Sequence, residues 1–228
     1  MKKMIAKLLL ASVFAFVACT TDSDDGDDFD AAVVCPADGS NKYGMPNRGT
    51  FIDERDGQEY KYTTIGDQVW MAQNLNYDAK YSMCYDDDSA NCDVYGRLYV
   101  LQKEGDRFKG MDLDFTKSIC PSGWHVPTFQ EWSILIENVG GFDNEFAAMR
   151  LKTTQNWEYS YSENGTDVCG FGLIPAGSYW GKYTEKDERA HFWTSTAKYE
   201  SMNHKISIRK EVYDIFSDSF DSIRCIKD

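Results

Sequence analysis

The most regular pattern of apolar and polar positions in the chain lies between Thr128 and Gly140. Its apolar residues recur at spacings of three and four, which places them on one face of a helix. Thr128 and Glu131 have the spacing of a capping box, in which each side chain accepts the backbone N–H of the other residue. The pattern predicts a helix that begins at Thr128 and buries Phe129, Trp132, Leu135, Ile136 and Val139.

A pattern with a period of two precedes this helix. The hairpin signals Asp56-Gly57 and Gly66-Asp67 bound a run that alternates between two faces. One face carries Tyr60, Tyr62 and Thr64, and the other carries Lys61, Thr63 and Ile65. We expect a meander of three short strands that starts near Phe51 and ends near Trp70.

The rest of the chain divides into shorter segments. Residues 78–93 predict a polar loop, and residues 143–152 a second helix. Strand-like runs follow at 168–175 and 191–196, and the 206–225 region has the pattern of a hairpin. Short antiparallel strands, two helices and further strands, in that order, indicate an α+β fold.

The N-terminal segment has the composition of a bacterial lipoprotein signal. Residues 1–18 combine an early lysine cluster with a short apolar run, and residues 16–19 resemble a lipobox. The apolar run is too short to span a membrane, which takes about 20 residues. We expect a lipid on Cys19, which would anchor the protein in the outer membrane at the cell surface. Phe16 is unusual in a lipobox, so ordinary cleavage after Ala18 stays open.

An acidic stretch follows Cys19. Residues 20–30 contain six aspartates and almost no apolar side chain, a composition that cannot bury enough surface to fold. Residues 19–50 are therefore predicted to be a disordered tether, continuing over 31–50 as irregular chain held by Cys35, before a domain at 51–228. The acidic run also resembles surface-export signals of some lipoproteins, and a plain solvated linker is the alternative.

The charge and the cysteines narrow the class of protein. A formal net charge of −13 disfavours nucleic acid as a partner, because phosphate binding requires a basic surface.

Apart from Cys19 there are six cysteines, an even number that predicts three disulfides in an exported chain. Six cysteines allow fifteen pairings. Cys84 and Cys92 enclose seven residues and are expected to form one local bridge.

The segment CPSGWHVPTFQEW at 120–132 resembles the signature of the Fibrobacter succinogenes major paralogous domain, a family of bacterial surface and secreted proteins. Other stretches resemble the same family in the same order, from about residue 51 to 228. They are IGDQVWMAQNLNY at 65–77, YGRLY at 95–99, GLIPAG at 172–177, FWTST at 192–196 and IRCIKD at 223–228. The family implies no activity.

The helix motif and the terminal Arg224-Cys225 motif are in turn similar to the C-type-lectin-like fold of the formylglycine-generating enzymes. This resemblance implies a disulfide-stapled domain with a bridge between Cys120 and Cys225, which leaves Cys35 to pair with Cys169. The enzymes need two neighbouring reactive cysteines near the C-terminus. Cys225 stands alone there, so their activity is not expected.

Catalytic and metal-binding motifs are sparse. The three histidines form no HExxH motif, and Cys120 with His125 is too few ligands for zinc. His125 is interpreted as a packed, hydrogen-bonded residue beside Trp124. Residues 86–93 offer oxygen ligands for calcium but lack EF-hand spacing, so a solvated loop is favoured and calcium stays open. No cofactor and no metal site are predicted.

Aromatic residues between 157 and 199 suggest a ligand surface. Several sit among serine, asparagine, glycine and lysine, as expected of loops, and sugar faces stack on such rings. The candidates are Trp157, Tyr159, Tyr161, Trp180 and Tyr183, with burial in the core as the alternative for each. We expect a non-catalytic surface lipoprotein that binds polysaccharide or another extracellular ligand. A structural or adhesion protein of the envelope that recognises a protein is the alternative, and an enzyme comes third.

Overall fold

The computed structural model describes residues 28–100, 113–142, 144–157, 164–199, 202–209, 211–216 and 219–228. Within these ranges there are five α-helices: α1 Ala31–Val34, α2 Ser89–Tyr95, α3 Leu113–Ser118, α4 Phe129–Asn138 and α5 Glu145–Leu151. The first six strands are β1 Arg48–Ile52, β2 Glu59–Ile65, β3 Gln68–Met71, β4 Ser82–Met83, β5 Leu98–Tyr99 and β6 Trp124–His125. They are followed by β7 Ala176–Tyr179, β8 Tyr183–Lys186, β9 Ala190–Tyr199, β10 Met202–Ile208, β11 Val212–Phe216 and β12 Ile226–Lys227. The predicted α+β class is confirmed. No described helix is long and apolar enough to cross a membrane.

The first sheet has the strand order β1-β2-β3-β12-β6. Its first three strands form the predicted antiparallel meander, with Thr63 opposite Trp70. The late strand β12 pairs with both β3 and β6, so that Ile226 lies opposite Trp70 and His125. The sheet therefore joins early strands of the domain to its last strand.

The second sheet has the order β11-β10-β9-β7-β8. Strands β9, β10 and β11 are antiparallel, and the hairpin predicted within 206–225 is present as β10 and β11. Strand β9 contains the predicted strand 191–196. Strand β7 pairs parallel to β9 through Gly177 and Ala190, and β8 forms an antiparallel edge beside β7.

Helix α4 packs against the second sheet and has the predicted start. The Glu131 N–H donates to Thr128 Oγ1 at 3.1 Å, and the Thr128 N–H donates to Glu131 Oε2 at 2.7 Å. Trp132 is fully buried, with ring centroids 4.7 Å from Trp70 and 5.1 Å from Phe192. One helix side chain thus contacts a residue from each of the two sheets, and this contact forms the centre of the core.

Three disulfides staple the fold. They join Cys35 to Cys169, Cys84 to Cys92 and Cys120 to Cys225. The expected pairings are confirmed.

The expectation of two helices is wrong, because α1, α2 and α3 are present besides α4 and α5. Part of the loop predicted at 78–93 is strand β4, a 3-10 turn at Tyr85–Asp87 and most of α2. The Asp88 carboxylate accepts the Ala90 N–H at 3.0 Å and caps α2, while Cys92 is buried in its disulfide. A helix cap and a disulfide therefore stabilise a helix that its polar sequence does not predict.

The strand predicted at 168–175 is also wrong. Leu173 makes one bridge to Lys152, and the strand of this region is β7, which begins at Ala176. Gly172 has a φ of +65°, its N–H donates to Asp167 Oδ1 at 2.8 Å, and a Cβ there would lie 2.5 Å from the Ala72 carbonyl oxygen. Close approach of two chain segments holds this glycine in a left-handed conformation that an extended strand does not have.

The segment 31–50 is more ordered than the irregular chain that its sequence predicts. Asp30 caps α1, and Cys35 is buried by its bridge to Cys169. Arg48 begins β1 opposite Thr63 and donates to the carbonyl oxygens of Cys35 and Val168 at 3.1 and 2.9 Å. The prediction is wrong for α1 and β1, because contacts distant in sequence fix residues that have little local propensity.

Candidate functional site

Trp180 occupies the turn between β7 and β8 and is 78% exposed. The backbone N–H of Trp180 donates to the Lys182 carbonyl oxygen at 3.1 Å, and Gly181 supplies the positive φ of +71° that the tight turn needs. The turn is short and hydrogen-bonded, so the indole is held outward on a defined backbone.

The tyrosine rings on either side of the turn are packed together. Tyr183 has its ring centroid 4.8 Å from Tyr179 and 4.9 Å from Tyr85, and Tyr179 lies 5.7 Å from Phe220. The Tyr183 hydroxyl donates to Asp87 Oδ1 at 2.8 Å. Burial, together with the hydrogen bond to Asp87, raises the pKa of Tyr183 to about 12, so its hydroxyl stays protonated at neutral pH.

The disulfide loop 84–92 supports the same rings. Lys186 Nζ lies 5.3 Å from the centroid of Tyr85 and 5.8 Å from that of Tyr95. The Tyr95 hydroxyl donates to the Asp187 carboxylate just after β8. We call Tyr85, Tyr95, Tyr179, Trp180 and Tyr183 the aromatic platform. It joins the β7–β8 hairpin to the loop that the Cys84–Cys92 bridge closes.

The predicted ligand residues separate into three groups. Trp180 is exposed, and Tyr183 is half-buried in the same platform. Trp157 is only 7% exposed, so it is not part of an open ligand surface and the alternative of burial in the core holds for this ring. Its Nε1 donates to Thr153 Oγ1 at 3.2 Å and its ring lies 4.0 Å from Lys152 Nζ, which lets the indole enter the core despite polar neighbours in sequence. Tyr159 and Tyr161 lie outside the described residues.

Sequence reasoning missed Tyr85, Tyr95 and Lys186. Tyr85 and Tyr95 lie about 90 residues before the β7–β8 hairpin in sequence, whereas Lys186 is the last residue of β8. Only tertiary structure brings the two segments together. One signal was available, since Tyr85 directly follows a cysteine of the predicted local bridge.

The acidic loop uses its carboxylates within the protein. Asp87 accepts from Tyr183, and Asp88 caps α2. In the described part of the chain, no three histidine, cysteine, aspartate or glutamate side chains are grouped so that they could hold a metal ion.

His125 lies between two carboxylates at the edge of the first sheet. Its Nε2 is 2.9 Å from Glu131 Oε1, and its Nδ1 is 2.7 Å from Asp228 Oδ1. The hydrogen bond to Glu131 raises the pKa of His125, burial opposes the rise, and Asp228 adds to it. Both ring nitrogens are engaged, so the arrangement is an ion-pair clamp between α4 and the end of β12 and leaves no ring nitrogen to activate a nucleophile.

Residues 63–227 match the model of a family described as Fibrobacter succinogenes major domain. The match covers most of the region in which the sequence motifs resemble that family. No curated protein and no solved structure shows significant similarity to the chain. The chain belongs to the Fibrobacter succinogenes major domain family.

Proposed function

We propose that this protein is a non-catalytic polysaccharide-binding module built on a C-type-lectin-like domain. The observation that carries the proposal is Trp180, which is 78% exposed at a hairpin tip while the rings around it are packed. Exposing a large apolar ring to water is unfavourable, and a sugar face that covers the ring removes this cost. The neighbouring tyrosine hydroxyls supply polar groups around the stacking surface.

The platform suits binding because its tyrosine side chains and the loop that supports them are already ordered before a ligand binds. Tyr183 is fixed by Asp87, Tyr95 by Asp187, and the loop beneath by the Cys84–Cys92 bridge. A ring held in place before binding loses less conformational entropy than a mobile one. Trp180 is therefore the principal contact, and the packed rings of Tyr179 and Tyr183 hold the strand ends on either side of its turn.

The proposal includes display at the cell surface. A lipid on Cys19 would anchor the chain in the outer membrane, and the aspartates of residues 20–30 would extend the tether by self-repulsion. Three disulfides suit a compartment in which cysteines are oxidised.

A pull-down with insoluble polysaccharides tests the proposal. The full chain is mixed with cellulose, xylan, mannan and chitin, and the bound fraction is compared with that of Trp180→Ala. Covering an indole contributes about 1.5–3 kcal/mol, so the variant should bind roughly tenfold to a hundredfold more weakly. Tyr213→Ala is the control, because it removes another exposed ring, 42% exposed on β11. Equal binding by Trp180→Ala and the wild type would refute the proposal.

A second candidate is an adhesion protein that recognises a protein partner. Phe146 and Val168 are 48% and 37% exposed and line one hollow of about 330 Å³ beside α1 and α5. Exposed apolar side chains around a hollow are typical of protein-binding surfaces. Loss of cell adhesion in Phe146→Ser/Val168→Ser, with adhesion unchanged in Trp180→Ala, would favour this candidate.

A further inference from the structure

A polar cleft of about 440 Å³ is lined in part by residues of α2, the helix that also carries Tyr95 of the aromatic platform. Three chain segments form its walls. One is the chain after β3 at residues 72–76 with Lys61 of β2, the second is α2 and its end at residues 92–96, and the third is the loop 167–174 with Thr153. The volume is that of a small-molecule site.

The floor of the cleft is rigid. Asn74 is 5% exposed, and its Nδ2 donates to the Tyr95 carbonyl oxygen at 2.9 Å and to Ser222 Oγ at 3.2 Å. Its Oδ1 accepts from Arg224 Nη2 at 2.5 Å. The same Arg224 nitrogen donates to the Gly172 carbonyl oxygen at 3.1 Å in the opposite wall. The buried guanidinium of Arg224 therefore connects Asn74 to the loop that contains Gly172, so the cleft is already formed without a ligand.

The lining is made of groups that bind hydroxyls. Gln58, Gln73 and Asn76 contribute amides, each of which has both a donor and an acceptor. Oδ1 of Asn76 is buried and accepts no hydrogen bond from the part of the chain that the structure describes. A buried acceptor without a donor is unfavourable by about 1–3 kcal/mol, so the wall favours a ligand that brings an O–H or N–H.

The charge of the lining indicates a neutral ligand. Among the described residues of the lining Lys61 is the one cation, whereas Asp93 and Asp167 are acidic. Burial raises the pKa of Asp167, while its hydrogen bond from Gly172 and the charge of Arg224 oppose the rise. Phosphate and sulfate would meet more negative than positive charge, and the part of the lining that the structure describes contains no aromatic side chain that would favour an apolar ring.

From these observations we infer that the cleft binds a neutral, polyhydroxylated ligand the size of one or two sugar rings. Recognition is by hydrogen bonds between neighbouring ligand hydroxyls and the side chains of the cleft, in which the amides donate and accept and the carboxylates accept, with no stacking. This site does not depend on Trp180. It adds a pocket for a soluble sugar to a protein whose proposed platform binds the face of a polymer.

Titration calorimetry of the full chain with neutral mono- and disaccharides tests the inference. The probes are glucose, galactose, mannose, xylose, arabinose, cellobiose and xylobiose, with inorganic phosphate and a neutral tripeptide as chemical comparisons. At least one sugar should bind, and phosphate and tripeptide should not. No binding of any sugar at millimolar concentration, or preferred binding of phosphate or tripeptide, would overturn the inference.

Two variants locate the binding. Asn76→Ala removes the unpartnered acceptor and should weaken sugar binding about tenfold, the loss expected for one hydrogen bond to a buried group. Asp93→Trp places a large ring at an exposed position of the cleft and should abolish sugar binding. Ala90→Trp, exposed on the same helix outside the cleft lining, is the matched control and should bind normally.

The same variants also distinguish sugar binding in the cleft from polysaccharide binding on the platform. Trp180→Ala should leave soluble-sugar affinity unchanged, and Asp93→Trp should leave the polysaccharide pull-down unchanged. Sugar binding that Trp180→Ala removes and Asp93→Trp preserves would place the sugar on the platform and refute the cleft site. Near-ultraviolet circular dichroism of each variant shows whether its fold is intact.

Discussion

Arg224 Nη2 and Asn74 Oδ1 are 2.5 Å apart, although 150 residues separate them in sequence. The guanidinium is fully buried, it also donates to the Phe171 and Gly172 carbonyl oxygens, and its flat face lies 4.5 Å from the ring centroid of Phe171. Burial lowers the pKa of Arg224 to about 9, so the side chain is still charged at neutral pH. The charge is held by neutral acceptors and an aromatic face, which makes each acceptor important for stability.

Asn74→Ala should lower the free energy of unfolding by about 3 kcal/mol. The substitution removes the acceptor of a buried cation and the amide N–H groups that donate to the Tyr95 carbonyl oxygen and to Ser222 Oγ. Buried groups left without partners in this way are unfavourable. Urea denaturation of the oxidised protein measures the change. Asn76→Ala is the control with the same chemistry and no such network, and it should stay within about 1 kcal/mol of the wild type. Equal losses in the two variants would contradict the role given to Arg224.

The His125 clamp predicts a pH dependence of stability with a defined sign. The pKa of His125 is raised in the folded protein, so its contribution is present below the ordinary value of 6.5 and is lost as pH rises through the folded pKa. The pKa of Glu131 is lowered by His125 and Thr128 against the effect of burial, so its contribution is lost as pH falls below 4.5 through the folded pKa. The pair should stabilise most between about pH 4.5 and 6.5.

His125→Gln checks this prediction. The variant should lose at most about 1 kcal/mol at pH 5.5, since the pair is partly exposed to solvent, and less at pH 8.5. Urea unfolding at the two pH values gives the difference. A loss that is the same at both would show that the imidazole acts by packing alone.

The Cys84–Cys92 bridge should matter more for binding than for folding. It closes a loop with a sequence separation of only 8, which corresponds to roughly 2–3 kcal/mol of chain entropy. Cys84→Ser/Cys92→Ser should therefore stay folded, yet bind polysaccharide more weakly, because Tyr85 and Asp87 lie within the loop. The pull-down and urea denaturation measure the two effects. Cys120→Ser/Cys225→Ser, with a separation of 105, should show the larger loss of stability, about 4–5 kcal/mol.

The sequence predicts local structure here better than it predicts the site. The capping box at Thr128, the meander and the three bridges depend on neighbouring residues, on a regular period or on a known family pattern. Helix α2 was not predictable in the same way, because a cap and a disulfide outweigh its polar composition. The platform depends on a contact between loop 84–92 and β8, and nothing in either segment alone indicates the other.

Trp157 and Trp180 show why composition does not decide exposure. Both stand among polar residues, yet one is 7% and the other 78% exposed. The indole N–H of Trp157 donates to Thr153 and its face contacts Lys152, whereas Trp180 lies in the turn between β7 and β8 and is largely exposed to solvent. The difference arises from tertiary position, which a single sequence does not contain.

Truncation of the two tryptophans should therefore have opposite effects, one on stability and the other on binding. Trp157→Ala removes a buried indole and should cost about 3–5 kcal/mol of unfolding free energy, while the remaining folded protein binds polysaccharide normally. Trp180→Ala should change stability by less than about 0.5 kcal/mol, because the ring is in solvent, and should lose polysaccharide binding. Urea denaturation and the pull-down, performed on both variants, give four values. Loss of binding in a folded Trp157→Ala variant would mean that the ligand reaches beyond the platform and that the site is larger than the hairpin and its supporting loop.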